Sequence, residues 1–140
     1  IQRYDESGTR TMNLQQVIET DRQYHCMVIG REKTLLMPFS MESNHYLAVD
    51  GQLDKNQAEK MAETALKIAD VYGYDINMTE FALQGEELYL INATNPSPMV
   101  SRDLMTETQF DWICNEIADL AARRAAKQPA MKFPVKYSID

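Results

Sequence analysis

Residues 76–91 read INMTEFALQGEELYLI, and the parity of their apolar side chains decides the fold. Ala82, Leu88 and Leu90 fall on one parity, and Phe81, Leu83, Tyr89 and Ile91 on the other. Apolar residues on both parities mark strands covered on both sides. Gln84-Gly85-Glu86 supplies a turn between residues 76–83 and 88–91, so the stretch reads as a hairpin.

Upstream of this hairpin, Asp54 is a suitable N-cap. Ala58, Met61, Ala62, Ala65, Leu66, Ala69 and Tyr72 then recur at i, i+3, i+4 and i+7, and Gly73 follows as a helix stop. The spacing predicts a helix of about five turns. Residues 23–29 (QYHCMVI) read as a strand, residues 30–33 as a turn, and residues 34–37 as a second strand closed by Pro38. Residues 39–53, with His45, Asp50 and Gly51, show no period and read as a loop. Residues 14–19 read as a short strand or its approach, and residues 1–13 as a flexible or cut edge.

Downstream, Asn95-Pro96-Ser97-Pro98 breaks the strand pattern. Thr106 with Gln109 forms a capping box for a last helix, whose stripe is Phe110, Ile113, Ile117, Leu120 and Ala121 and which runs to Lys127. Residues 128–140, with Pro129 and Pro134, read as an extended tail. The order is hairpin, helix, hairpin, helix. It predicts one α+β domain, a largely antiparallel sheet with two main helices packed on it.

The 140 residues suffice for one core, and no apolar run is long enough to cross a bilayer. With 21 acidic against 14 basic residues the formal net charge is -7, which disfavours nucleic acid and anionic membranes as partners. Arg123, Arg124, Lys127 and Lys132 read as a solvated helix end. Cys26 and Cys114 lack metal-ligand spacing and read as buried free thiols, although sequence leaves a disulfide open. Such thiols, with no basic-then-apolar leader at the N-terminus, lead to an expectation of a cytoplasmic protein. The chain begins at Ile1 rather than Met, which suggests a piece of a longer protein.

Glu80, Asn92 and Asn95 are the residues whose chemistry stands out. Glu80 interrupts an apolar strand, Asn92 closes its partner, and Asn95 lies where the prolines turn the chain. With an odd number of residues in the connection, Glu80 and Asn92 project from the same face. Three oxygen-bearing side chains then converge, a set that suits a hard cation such as Mg2+ completed by water and phosphates. The same residues also serve as routine punctuation at strand ends and turns, and spacing leaves both readings open.

The wider string resembles the ATP-grasp superfamily. The resemblance is carried by Ala65-Leu66-Lys67-Ile68, by Tyr72-Gly73-Tyr74-Asp75-Ile76-Asn77-Met78-Thr79-Glu80-Phe81-Ala82, and by Gly85-Glu86-Glu87-Leu88-Tyr89-Leu90-Ile91-Asn92-Ala93-Thr94-Asn95-Pro96-Ser97-Pro98. It covers residues 14–127 and implies the C-terminal, metal-binding half of a ligase domain. In that family one strand carries an acidic metal ligand, and the next ends in a second acid, two spacer residues and Asn-Pro. Glu80 and Asn95 match that pattern. Asn92 stands where the family normally has Asp or Glu, so one ligand charge is lost.

The resemblance further implies that Gln16, Val17 and Ile18 form the hinge facing the adenine of ATP. It implies that magnesium holds ATP while a small carboxylate substrate is phosphorylated, an amine or thiol then attacking the acyl phosphate. Relatives often carry Arg near the position of His25, which here reads as a structural histidine. The glycine-rich loop and the lysines that bind ATP have no counterpart in the chain and would precede Ile1. The expected function is therefore part of an ATP-dependent carboxylate–amine (or thiol) ligase, one whose missing N-terminal half leaves apolar surface open to self-association. The alternatives are a non-catalytic relative kept for binding or assembly, and an unrelated α+β interaction domain.

Overall fold

In the computed structural model, residues 14–20, 22–48 and 53–127 are described. The expectations for residues 1–13 and 128–140, and for Lys132, lie outside them. The elements are β1 (Arg22–Ile29), β2 (Lys33–Ser40), β3 (His45–Tyr46), α1 (Lys55–Tyr72), β4 (Ile76–Gln84), β5 (Glu87–Asn92) and α2 (Glu107–Lys127). The strands form one sheet in the order β3-β2-β1-β4-β5, and every neighbouring pair is antiparallel. The α+β class and the antiparallel sheet with two helices are as the sequence predicts.

The helices lie on opposite faces of the sheet. On one, Tyr24, Cys26 and Val28 of β1 and Phe81 and Leu83 of β4 pack with Met61, Ala65 and Ala69 of α1. On the other, Met27, Ile29, Met37 and Met78 pack with Ile113 and Leu120 of α2 and with Met105 just before it. Successive side chains of a strand point to opposite faces, so β1 and β4 each feed both cores. The register carries this across the pair: Tyr24 lies opposite Phe81, and Met27 opposite Met78.

Both helices begin at their caps, and α1 also ends at one. The Asp54 carboxylate accepts from the N–H groups of Asn56 (2.9 Å) and Gln57 (3.2 Å). Gly73, at φ 70°, closes α1 in the left-handed conformation, with the Tyr74 N–H bonded to the Ala69 carbonyl at 2.9 Å. At α2 the capping box is formed: the Thr106 N–H donates to Gln109 Oε1 (3.0 Å), and the Gln109 N–H to Thr106 Oγ1 (3.3 Å).

Local differences have physical reasons. β2 continues through Pro38 to Ser40, and β3 pairs with its end, Phe39 opposite Tyr46. Pro38 has no N–H to give, but its carbonyl accepts from Leu47 at 2.9 Å, so the strand survives the proline. A two-residue strand carries no period, which is why residues 39–53 read as a loop. Residues 14–19 hold no strand. Tyr72, Ala121 and Cys114 are exposed: each lies at the edge of its helix's apolar stripe, which is narrower than its sequence suggests. Cys26 is buried as expected, and both thiols are free. Arg124 pairs with Asp75 at 2.5 Å and Arg123 with Glu32, so this end of α2 is tied to the turns beneath it.

Replacing Asp54 with Ala removes both cap bonds and is expected to cost about 1 kcal/mol, read as a lower urea midpoint at unchanged m-value.

Candidate functional site

Glu80 and Asn92 are brought face to face by a feature that sequence did not show. The hairpin turn has two residues, Gly85 and Glu86, because Gln84 pairs with Glu87. Gly85 has φ 62°, as a tight hairpin turn requires at its first central position. Continued without interruption, that register would place Asn92 opposite Thr79, on the other face. Instead the register shifts between Glu80 and Phe81: Phe81 faces Leu90, and Glu80 faces Asn92. Ile91 is the extra residue of a β-bulge, and bulges re-aim side chains in this way. The odd residue expected in the turn sits in the strand.

Asn92 Nδ2 donates to Glu80 Oε1 at 3.1 Å, and Asn92 Oδ1 accepts from the Thr94 N–H at 3.3 Å. Turned over, the amide would set oxygen against carboxylate and N–H against N–H, so the contacts fix its orientation. Asn92 therefore gives Glu80 a donor, and its amide would have to turn before its oxygen could meet a cation beside Glu80. Asn95 Oδ1 accepts from the Ser97 N–H at 3.3 Å and keeps a second lone pair.

Asn95 is positioned by a polar clip on the opposite face. Asn77 is fully buried; its Oδ1 accepts from the Asn95 N–H at 2.9 Å, and its Nδ2 donates to the Ala93 carbonyl at 3.1 Å. Thr79 Oγ1 also donates to the Ala93 carbonyl, at 3.2 Å, and the Met78 N–H bonds the Asn95 carbonyl at 2.9 Å. The chain after β5 is thus held against β4 at its backbone, leaving the Asn95 side chain to face the α2 side.

On that side Glu80 and Asn95 line a cleft of about 240 Å³ together with His25, Phe39, Tyr46 and Met78. His25 stacks on Phe39 at 4.5 Å, and Tyr46 stands edge-on to both rings, at 5.4 Å from His25 and 5.2 Å from Phe39. The Tyr46 hydroxyl lies 2.9 Å from His25 Nδ1 and 3.2 Å from Met78 Sδ, so it bridges the imidazole and the thioether. Burial holds the imidazole down to about 4, so it is neutral near pH 7 and gives no cationic contact to phosphate. Burial, and then the Glu80 charge, push the Tyr46 hydroxyl up to about 12.

The hairpin therefore sets Asn92 against Glu80, and Glu80 and Asn95 line one cleft. Gln16, Val17 and Ile18 are in irregular chain before β1 and are not among the residues that line the cleft. This chain enters the sheet where Arg22 faces Leu83, three pairs (about 10 Å) from the pair His25–Glu80. Val17 is 83% exposed. Phe39, Tyr46, Asn77 and Thr79 were missed by sequence reading; Asn77 and Thr79 share one parity of a buried strand, a signal that was there to be used. Among the described residues no group of three or more His, Cys, Asp and Glu is placed to hold a metal. Glu80 with its second oxygen, and Asn95 with its free lone pair, are chemically suited to a hard cation that keeps most of its ligands as water and phosphate.

No family model, curated protein or solved structure matches this chain.

Replacing Asn77 with Leu strands the Asn95 N–H and is expected to cost about 3 kcal/mol, with faster amide exchange at Asn95. His25 generates a pH dependence. Its folded value of about 4 lies below the ordinary 6.5, so its contribution is complete above pH 6.5 and is lost as pH falls toward 4. The loss is up to about 3 kcal/mol, and a His25→Gln variant should lose stability less steeply across that window. Equal slopes would mean that folding leaves the proton affinity of His25 unchanged.

Proposed function

We propose that this chain is the metal-binding half of an ATP-grasp ligase domain, acting with upstream sequence on a nucleotide and a small carboxylate. Glu80 and Asn95 would hold the magnesium of Mg2+–ATP, Asn92 would orient Glu80, and Gln16, Val17 and Ile18 would face the adenine. When bound, magnesium and ATP supply charge neutralisation and the phosphoryl group that activates a carboxylate toward an amine or thiol. The observation that carries this reading is the bulge-dependent meeting of Glu80 with Asn92 beside a cleft that Glu80 and Asn95 line. The exposed Leu14 and Val17 support a covering partner on the hinge side, either the upstream half or a second copy. Reduced Cys26 and Cys114 go with a cytoplasmic setting, and the net charge of -7 with partners other than nucleic acid or membrane. No helix of the described residues is long and apolar enough to cross a membrane.

The Asn92 amide favours a second reading. By giving Glu80 an N–H instead of a second ligand charge, it suits a domain kept for binding or assembly without turnover.

Calorimetric titration of Mg2+–ATP into the intact protein tests the first reading; no heat and no thermal stabilisation would exclude it. Asn92→Asp is expected to lower stability without metal, since two carboxylates then meet, and to tighten magnesium binding roughly tenfold. If Glu80→Ala abolishes binding while Asn92→Asp leaves it unchanged, Asn92 has no part in holding the metal.

A further inference from the structure

The cleft beside Glu80 has a chemistry of its own. Its charged lining residue is a carboxylate, and among the described residues neither Lys nor Arg lines it. Its wall is the ring cluster of His25, Phe39 and Tyr46, and Met78, Met99 and Leu104 complete the apolar part. The polar groups offered to a guest are the second oxygen of Glu80, the lone pair of Asn95 Oδ1 and the amides of Asn44 and Asn95. With Glu80 as its charged group, such a lining disfavours phosphate and carboxylate groups. It suits a group with several N–H donors, positive charge and a short apolar stem, because aromatic faces attract cations and a carboxylate completes their pairing. At about 240 Å³ the space lies below the range of about 300–1,000 Å³ typical of sites for drug-sized ligands, so the guest is small.

We propose that this cleft is a binding site for a small primary alkylammonium ion, held by Glu80 and the Phe39–Tyr46 aromatic wall. The site goes beyond the ligase reading and stands whether or not nucleotide binds. It shares Glu80 with the magnesium position, so the two cations compete.

The test uses the intact protein, labelled with 13C at its methionine methyl groups, and n-butylammonium chloride as probe. Saturable shifts at the Met78 and Met99 methyls are expected, with 1-butanol binding at least tenfold more weakly. Glu80→Gln, which keeps the shape of the half-exposed side chain, should weaken butylammonium at least tenfold and leave 1-butanol unchanged. Phe39→Leu should weaken it severalfold; if that variant misfolds, the wild-type comparison of amine with alcohol still decides. Equal binding of 1-butanol and butylammonium, shifts at neither methyl, or full affinity in Glu80→Gln would overturn the proposal. The same samples titrated with Mg2+–ATP separate the two readings. Amine binding without nucleotide binding removes only the ligase reading, and nucleotide binding without amine binding removes only this one.

Discussion

Burial of β1 and β4 on both faces is the constraint from which the site follows. A central strand whose odd residues feed one core and even residues another has no solvent face on which to place a polar side chain. Each polar residue in it must therefore find partners within the protein. Four such residues occur at the middle of the pair: His25 on β1, and Asn77, Thr79 and Glu80 on β4. Parity sorts them. Asn77 and Thr79 face the α1 side and spend their hydrogen bonds on the backbone at Ala93 and Asn95. His25 and Glu80 lie opposite each other on the α2 side and open onto the cleft. The first pair builds the platform, and the second supplies the chemistry.

The bulge at Ile91 links the two. Without its extra residue, Asn92 would fall on the Asn77 face, where the clip already satisfies the local backbone, and Glu80 would lose its donor. With it, the strand crosses over at the point where the chain leaves the sheet. Asn95 then reaches the Glu80 side while its backbone stays bound to Asn77 and Met78. One inserted residue therefore sets Asn92 against Glu80.

Most of the fold was legible because its signals are local. The N-cap at Asp54, the Gly73 stop, the Thr106–Gln109 box and the two-sided apolar hairpin each announce themselves within a few residues. The site was legible only in part. Glu80, Asn92 and Asn95 could be singled out, but their meeting was assigned to a three-residue turn, since a bulge and a turn are equivalent in parity and only tertiary pairing distinguishes them. The aromatic wall was hidden for a different reason. Phe39 lies past Pro38 and Tyr46 lies in a two-residue strand, so neither shows periodicity, and their meeting with His25 depends on long-range pairing. Cys114, Tyr72 and Ala121 show the opposite error, in which helical spacing extended a stripe beyond the width the sheet can cover.

The Glu80–Asn92 pair determines how the site behaves when empty. Two acids facing each other across a bulge would repel and would need a cation for the hairpin to close tightly. Here the amide N–H of Asn92 takes that place: it satisfies one oxygen of Glu80, while its own oxygen is held by the Thr94 backbone. The hairpin is thus complete on its own, and the free oxygen of Glu80 remains as a single, positioned negative charge beside uncharged rings. Asn92 thereby sets the charge of the pair at one, through the charge it lacks and the proton it donates.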